Sequence, residues 1–300
     1  MRGRTRRWRL EHSVAIGRML APLRRGAGDP TYRLEGARHW RGLRTPDGPA
    51  TLALHHDGDE VVAEAWGDGA RWAIGQVPAL LGQLDDPTGF EPDLPVLCAA
   101  ARRVGEVRIG ATGLVMEALV PAIIEQKVTG QEAFGGFRRL VQRYGEPAPG
   151  PHPRLRVQPA PETIRGIPSW EWLRLPVDPA RSRAVLAACQ RADALERTIG
   201  LPGDEVERRL RSIPGIGRWT AAETRQRAHG DPDAVSFGDY HVAKDVGFAI
   251  EGRPWDDEEL EAFLAPYRPH RGRVVALLLI AGIRRPRRGP RLAPRTHLPT

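Results

Sequence analysis

The segment Ile213-Pro214-Gly215-Ile216-Gly217-Arg218-Trp219-Thr220-Ala221 constrains this 300-residue chain more than any other. Two glycines separated by one apolar residue stand between a helical pattern ending at Ser212 and another opening at Arg218. A helix-turn-helix corner takes Gly wherever φ must be positive, so Gly-x-Gly alone is a weak signal. The flanking helices make it a tight hairpin whose backbone N–H groups face outward at a helix N-terminus, which is an anion cradle. About twenty positions later Ser236-Phe237-Gly238-Asp239-Tyr240-His241 brings in a carboxylate, past one helix and a loop rich in Asp and Pro. A phosphate cradle beside an isolated Asp points to chemistry on a nucleic acid.

Composition sets the frame for that hairpin. With 41% hydrophobic residues over 300 positions, the chain can bury more than one core, so two or three packed subdomains are expected. Lys and Arg number 45 against 37 Asp and Glu, a net charge of +8, and nearly all the basic residues are Arg. Arg pairs with phosphate through a planar two-pronged fork, which favours a polyanionic partner. An Arg-, Gly- and Pro-rich composition also arises from GC-rich coding, so charge supports the reading without deciding it. Cys98 and Cys189 are too few for a disulfide framework or for a zinc or iron-sulfur ligand set, and a reducing cytoplasm is the simplest compartment. Residues 1–9 are Arg-rich without a long apolar run, so neither a signal peptide nor a membrane span is expected.

Along the chain, a short helix is expected over 13–23, ended by the Gly26–Pro30 cluster. Strands follow over 32–43, 50–56 and 60–66, separated by Thr45-Pro46-Asp47-Gly48-Pro49 and Asp57-Gly58-Asp59. A helical stretch over 70–84, kinked at Pro78, completes a small domain. Beyond Leu94 helical patterns succeed one another to Ala281 with no further strand expected, and the Pro-rich loop 146–161 is expected to link two helical lobes. The fold class is therefore α+β: an N-terminal antiparallel-sheet domain over 1–92, then a mainly all-α two-lobed domain over 93–285. The Arg- and Pro-rich stretch 286–300 is expected to be a disordered basic tail, either DNA-binding or merely solvated.

The hairpin and the Gly238-Asp239-Tyr240 segment together resemble the helix-hairpin-helix superfamily of DNA glycosylases, and within it the bacterial 3-methyladenine DNA glycosylase II branch. The segment Ala122-Ile123-Ile124-Glu125-Gln126-Lys127-Val128-Thr129 is similar to the helix end and loop that fill the gap left in the duplex. About two thirds of the chain follows the family by order of elements and roughly a tenth by motif, and only the motifs are specific. The resemblance implies an N-glycosyl hydrolase of base excision repair that flips an alkylated purine out of duplex DNA and leaves an abasic site. It implies no catalytic cofactor, a monomer, damaged double-stranded DNA as partner, no membrane, and a cytoplasmic, nucleoid-associated location.

Asp239 is the catalytic candidate. Breaking an N-glycosidic bond places positive charge on the deoxyribose, and an ordinary aspartate, ionised at neutral pH, offsets it. Asp is also a favoured helix N-cap, and both roles can be held at once. Family members that nick the backbone carry a Lys nucleophile where this chain has Trp219, so a monofunctional enzyme is expected. The Trp219 indole is a candidate to stack on a cationic base, or to pack between helices. Trp170 and Trp172 are further candidates for the base pocket, with packing as the alternative. By resemblance, the amides around Gly215, Ile216 and Gly217 bind phosphate and Arg218 adds a contact. Carbonyls of Arg211, Ile213 and Ile216 are likewise implied to hold a monovalent cation, Na+ or K+. Gln126 and Lys127 stand at the wedge position, where Lys replaces a commonly apolar residue, and Glu223 and Leu279 stand where further pocket aromatics would align. Two rival readings remain: a non-catalytic helix-hairpin-helix DNA-binding protein, and a glycosylase for deaminated or oxidised bases.

Overall fold

A computed structural model describes residues 3–10 and 14–286. The expected tail lies outside these residues apart from Pro286. Five strands form one antiparallel sheet in the order β1-β5-β4-β3-β2, with β1 Arg4–Arg9, β2 Tyr32–Glu35, β3 Arg38–Thr45, β4 Gly48–Asp57 and β5 Glu60–Trp66. The registers Thr45↔Gly48 and Asp57↔Glu60 leave two-residue turns at Pro46-Asp47 and Gly58-Asp59, where the turn residues of the sequence stand. The single strand expected over 32–43 is two, β2 and β3, paired through a turn at Gly36-Ala37, where Gly36 has φ +58°, and strand β1 was not expected. Trp8 is its single large apolar residue, and it is held by its ladder to β5 rather than by burial.

Both faces of the sheet are covered. Leu52 and Leu54 of β4 with Val61, Ala63 and Ala65 of β5 form a core with α1 (Ile16–Leu20), α2 (Ala70–Gly75) and α3 (Val77–Leu80). The alternate residues Trp40 and Ala53 face Ala148, Leu155 and Val157, and Trp66 stacks on Trp40 with ring centroids 5.7 Å apart. The segment 146–161 is therefore no linker between helical lobes: it folds into a small hairpin, β6 (Glu146–Pro147) and β7 (Arg156–Val157), docked on the sheet. A Cβ on Gly42 would lie 2.1 Å from the Arg156 carbonyl oxygen, so this docking needs a glycine at that position. Strand structure thus does return after Leu94, in two short pieces without hydrophobic alternation to announce them.

The helices form two further cores. The first surrounds α5 (Val115–Ile124), in which every residue except Glu117 is buried. Around it pack α6 (Gly130–Tyr144), α7 (Pro161–Arg165), α8 (Ser169–Arg174), α9 (Pro179–Cys189), α10 (Ala192–Glu196), α11 (Gly203–Arg211) and α12 (Arg218–Thr224). A helix this enclosed needs its end groups paired inside the protein. Both Glu196 carboxylate oxygens accept from the Val115 and Met116 N–H groups at 2.8 Å, and the Arg181 guanidinium donates to the Ile124 carbonyl at 2.6 Å.

The second helical core joins α4 (Pro95–Val104) to α13 (Val242–Glu251), α14 (Asp257–Leu264) and α15 (Arg271–Ile280). The chain therefore visits this lobe twice, before and after building the α5 lobe. Ion pairs tie it back: the fully buried Arg273 of α15 holds Asp85 with both terminal nitrogens at 2.7 Å, and Arg271 grips Asp233 at 2.9 and 2.7 Å. Paired and hydrogen-bonded in this way, such charges avoid the cost of an isolated buried ion. Among the described residues no helix is long and apolar enough to cross a membrane.

Candidate active site at the hairpin

The hairpin lies between α11 and α12 as the sequence requires, but its two glycines do different work. Gly215 has φ +88°, and a Cβ there would come within 2.7 Å of the Ala184 Cβ on α9. It combines left-handed backbone with close packing, and only glycine meets both demands without strain. Gly217, with φ −95° and ψ −178°, is the extended N-cap of α12, and a Cβ on it would meet nothing within 4 Å. Its missing side chain leaves the approach to the α12 N-terminus open. Among the described residues the Gly215 and Gly217 N–H groups find no backbone acceptor, so both are available to an outside anion. Ile213 and Ile216 are buried and anchor the turn, and the Ile216 N–H donates to the Ile213 carbonyl at 3.1 Å, so the amide expected to bind phosphate at Ile216 is already used inside the hairpin.

Gln126 braces this hairpin from the end of α5. Its side-chain amide donates to the Gly215 carbonyl at 2.9 Å and to Thr220 Oγ1 at 2.8 Å. Lys127, next along, is exposed with φ +54°, an uncommon conformation for a non-glycine residue, and stands at the tip of the loop. The pair expected to act together is thereby divided: Gln126 holds the hairpin and Lys127 projects. Arg181 fixes this loop from behind through the Ile124 carbonyl. Neither brace has a local sequence signature, since both partners are distant in the chain.

Trp219 and Asp239 meet. The indole Nε1–H donates to Asp239 Oδ2 at 3.2 Å, while Oδ1 accepts from the N–H groups of His241 at 2.7 Å and Val242 at 3.1 Å. One carboxylate oxygen caps α13 and the other meets the indole, so cap and site coexist in one side chain. Both residues are partly exposed. The turn that presents Asp239 depends on Gly238, whose φ is +86° and whose N–H donates to Asp257 at 2.7 Å. Arg218 points to the α14 side: its guanidinium binds both oxygens of Glu261 at 3.0 and 3.1 Å and covers the Phe237 ring at 4.6 Å. This ion pair was not foreseen, and it occupies the group expected to grip phosphate.

A cleft of about 860 Å³ opens between the three cores beside this pair. Ser236 and Val242, on its wall, are both hydrogen-bonded to Asp239, through the Ser236 carbonyl and the Val242 N–H. Glu223, one helical turn beyond Trp219, lines the cleft with Gln226, Arg227 and, on α15, Leu279. Trp172, by contrast, is 1% exposed inside the α5 core, because its position on α8 faces inward, and it cannot meet a base. Trp170 is exposed on α8 and is not on the cleft wall.

No protein-family model matches the chain. Over 189 residues it is 31% identical to a probable bifunctional transcriptional activator/DNA repair enzyme AlkA of Mycobacterium tuberculosis; the match takes in 61% of this chain and 36% of that protein, about a third of the relative's length. A 3-methyladenine DNA-glycosylase from Archaeoglobus fulgidus superimposes with a TM-score of 0.78 at 18% identity, over 92% of this chain and 98% of that one. The Clostridium acetobutylicum 8-oxoguanine glycosylase/lyase, solved with double-stranded DNA containing cytosine opposite 8-oxoG, gives 0.69 at 12% identity over 90% and 91%. The chain has the fold of the helix-hairpin-helix DNA glycosylases and resembles AlkA over the aligned residues.

Proposed function

We propose that the protein is a monofunctional DNA glycosylase that extrudes an alkylated purine of the 3-methyladenine type and hydrolyses its bond to deoxyribose. The observation that carries this reading is the Asp239 carboxylate, capped through Oδ1 and aligned through Oδ2 by the Trp219 indole, beside a hairpin with outward amides and at the edge of a cleft. A fixed anion there stabilises the oxocarbenium-like sugar as the bond breaks. An alkylated purine that already carries positive charge departs as a neutral base without a proton donor. Water then adds to C1′ of the sugar and gives up its proton, leaving an abasic site and free base. Trp219 in the place of a lysine nucleophile supports hydrolysis without strand cleavage.

In this reading residues 93–285 form the glycosylase unit, and the Gly215 and Gly217 amides take a DNA phosphate, a contact that fixes position without reading sequence, while the Ile216 amide stays on the Ile213 carbonyl. Lys127 enters the duplex at the extruded site while Gln126 keeps the hairpin in place. The Arg211 and Ile216 carbonyls receive no backbone N–H among the described residues, and with the Ile213 carbonyl, which accepts the Ile216 N–H, they would be the oxygens to hold a Na+ or K+ ion. The ion would be structural. The protein would act as a monomer on damaged duplex DNA, in the cytoplasm and on the nucleoid. Incubation with methylated duplex DNA tests the proposal: the wild type releases 3-methyladenine and leaves alkali-labile sites without nicking. Absence of any released base refutes it, and release of uracil or hypoxanthine alone redirects it to deaminated bases.

A further inference from the structure

The cleft beside Asp239 carries charged groups on its wall, Arg18, Glu106, Arg108, Glu223, Arg227 and Asp231, and Glu223 is the one on the helix that bears Trp219. It lies on the same face of α12 as Trp219, one turn further in, and its side chain is 12% exposed. Three groups set its orientation. Ser236 Oγ donates to Oε1 at 2.5 Å, Arg227 pairs with Oε2 at 2.7 Å, and Gln226 donates to Ser236 Oγ at 3.2 Å and to the Ala234 carbonyl at 2.9 Å, holding the hydroxyl in turn. Arg227 is itself anchored by donation to the Pro22 carbonyl at 3.0 Å. A carboxylate has about four acceptor positions, so two bonds leave Glu223 able to accept more. Ser236 belongs to the turn that presents Asp239, since its carbonyl accepts the Asp239 N–H at 3.1 Å. The two carboxylates are thus linked through one rigid loop.

We infer that Glu223 is a specificity-determining residue, whose fixed carboxylate selects extruded bases that are cationic and carry an exocyclic amino group over neutral bases that lack one. The inference rests on the glycosylase reading above. A side chain held by Ser236 and Arg227 cannot turn away from a mismatched base, so a neutral base that presents a carbonyl oxygen where an amino group would stand sets lone pairs against a mostly enclosed carboxylate. Apolar contact with Val242, Val275 and Leu279 across the cleft tolerates many base shapes, which leaves discrimination to the charge.

Single-turnover release from duplexes bearing one 7-methylguanine or one hypoxanthine tests this, using the whole chain as wild type, Glu223→Gln and Ser236→Ala. 7-Methylguanine is cationic and has an amino group; hypoxanthine has neither. The wild type is expected to prefer 7-methylguanine, and Glu223→Gln to reduce the ratio of the two efficiencies about tenfold to a hundredfold, mostly through substrate binding. Ser236→Ala, which leaves the carboxylate but frees one oxygen, reduces it severalfold. Thermal melting identifies any variant that fails to fold, and the other variant then decides. An active wild type whose ratio changes less than twofold in the folded variants overturns the inference and leaves the glycosylase reading standing. A wild type that releases neither base but does release 3-methyladenine from methylated duplex overturns the inference alone, and one that releases none of the three overturns both.

Discussion

Replacing Asp239 by Asn separates the charge of this side chain from its structural work. The amide oxygen takes the place of Oδ1 and still accepts from the His241 and Val242 N–H groups, so the cap on α13 survives. What disappears is the negative charge, together with the Trp219 bond at 3.2 Å, because the amide nitrogen now faces the indole N–H, donor against donor. An anion about 3.5 Å from the developing sugar cation, at an effective dielectric of about 20, contributes roughly 4 to 5 kcal/mol. That is a loss on the order of a thousandfold in the chemical step. Duplex affinity should hardly change, since the proposed phosphate contacts lie at the hairpin and not at Asp239. The assay is single-turnover base release from methylated duplex DNA, with affinity measured separately on uncleaved duplex and stability by urea denaturation. A folded variant that releases base within tenfold of the wild-type rate would refute the electrostatic reasoning, and equal release would remove Asp239 from catalysis. Asp239→Ala serves as contrast, because it also loses the cap, and should cost about 1 kcal/mol of stability beyond the Asn variant.

The hairpin glycines should part company. Gly215→Ala forces a side chain into left-handed backbone and onto Ala184, and is expected to cost about 2 kcal/mol in denaturant unfolding. Gly217→Ala should leave stability within about 0.5 kcal/mol yet weaken duplex binding, since its methyl stands where the phosphate approaches; unchanged binding would argue against that approach. Glu261→Gln releases Arg218 from its ion pair and should tighten duplex binding, while Arg218→Ala should flatten the dependence of log affinity on log salt by about one phosphate contact. Equal slopes for Arg218→Ala and wild type would exclude that contact. Burial lowers the His229 pKa to about 4 from the ordinary value near 6.5. Between these values the unfolded chain binds a proton that the folded one does not, so stability falls as pH drops from about 6.5 toward 4. The total approaches about 3 kcal/mol, and none of it is lost above pH 7. Urea midpoints for wild type and His229→Gln should diverge in slope across that window and run parallel above it.

Features that depend on neighbours in the chain were legible in the residues. The hairpin follows from Pro214-Gly215-Ile216-Gly217 between two helical patterns, and β4 and β5 from their turn residues and alternation, whereas the single strand read over 32–43 folds back at Gly36-Ala37 into β2 and β3. β1 escaped because six residues rich in Arg carry no alternation, and β6 and β7 because two-residue strands have no period to detect. Trp172 shows the limit for side chains: Trp170 and Trp172 look equivalent in sequence, yet one lies exposed on α8 and the other fills the α5 core.

The sequence alone determined which groups are candidates for chemistry here, because a positive-φ turn and an isolated carboxylate are properties of local residue type. Only the tertiary structure decided what those groups face, since that depends on contacts between positions far apart in the chain. It set Asp239 against Trp219, turned Gln126 from a wedge into a brace, gave Arg218 to Glu261, and placed Glu223 in the cleft. Those pairings follow from a chain that enters the second helical lobe at α4, leaves it to wrap α5, and returns at α13. A periodicity within one helix says which side is apolar but not which distant helix will cover it.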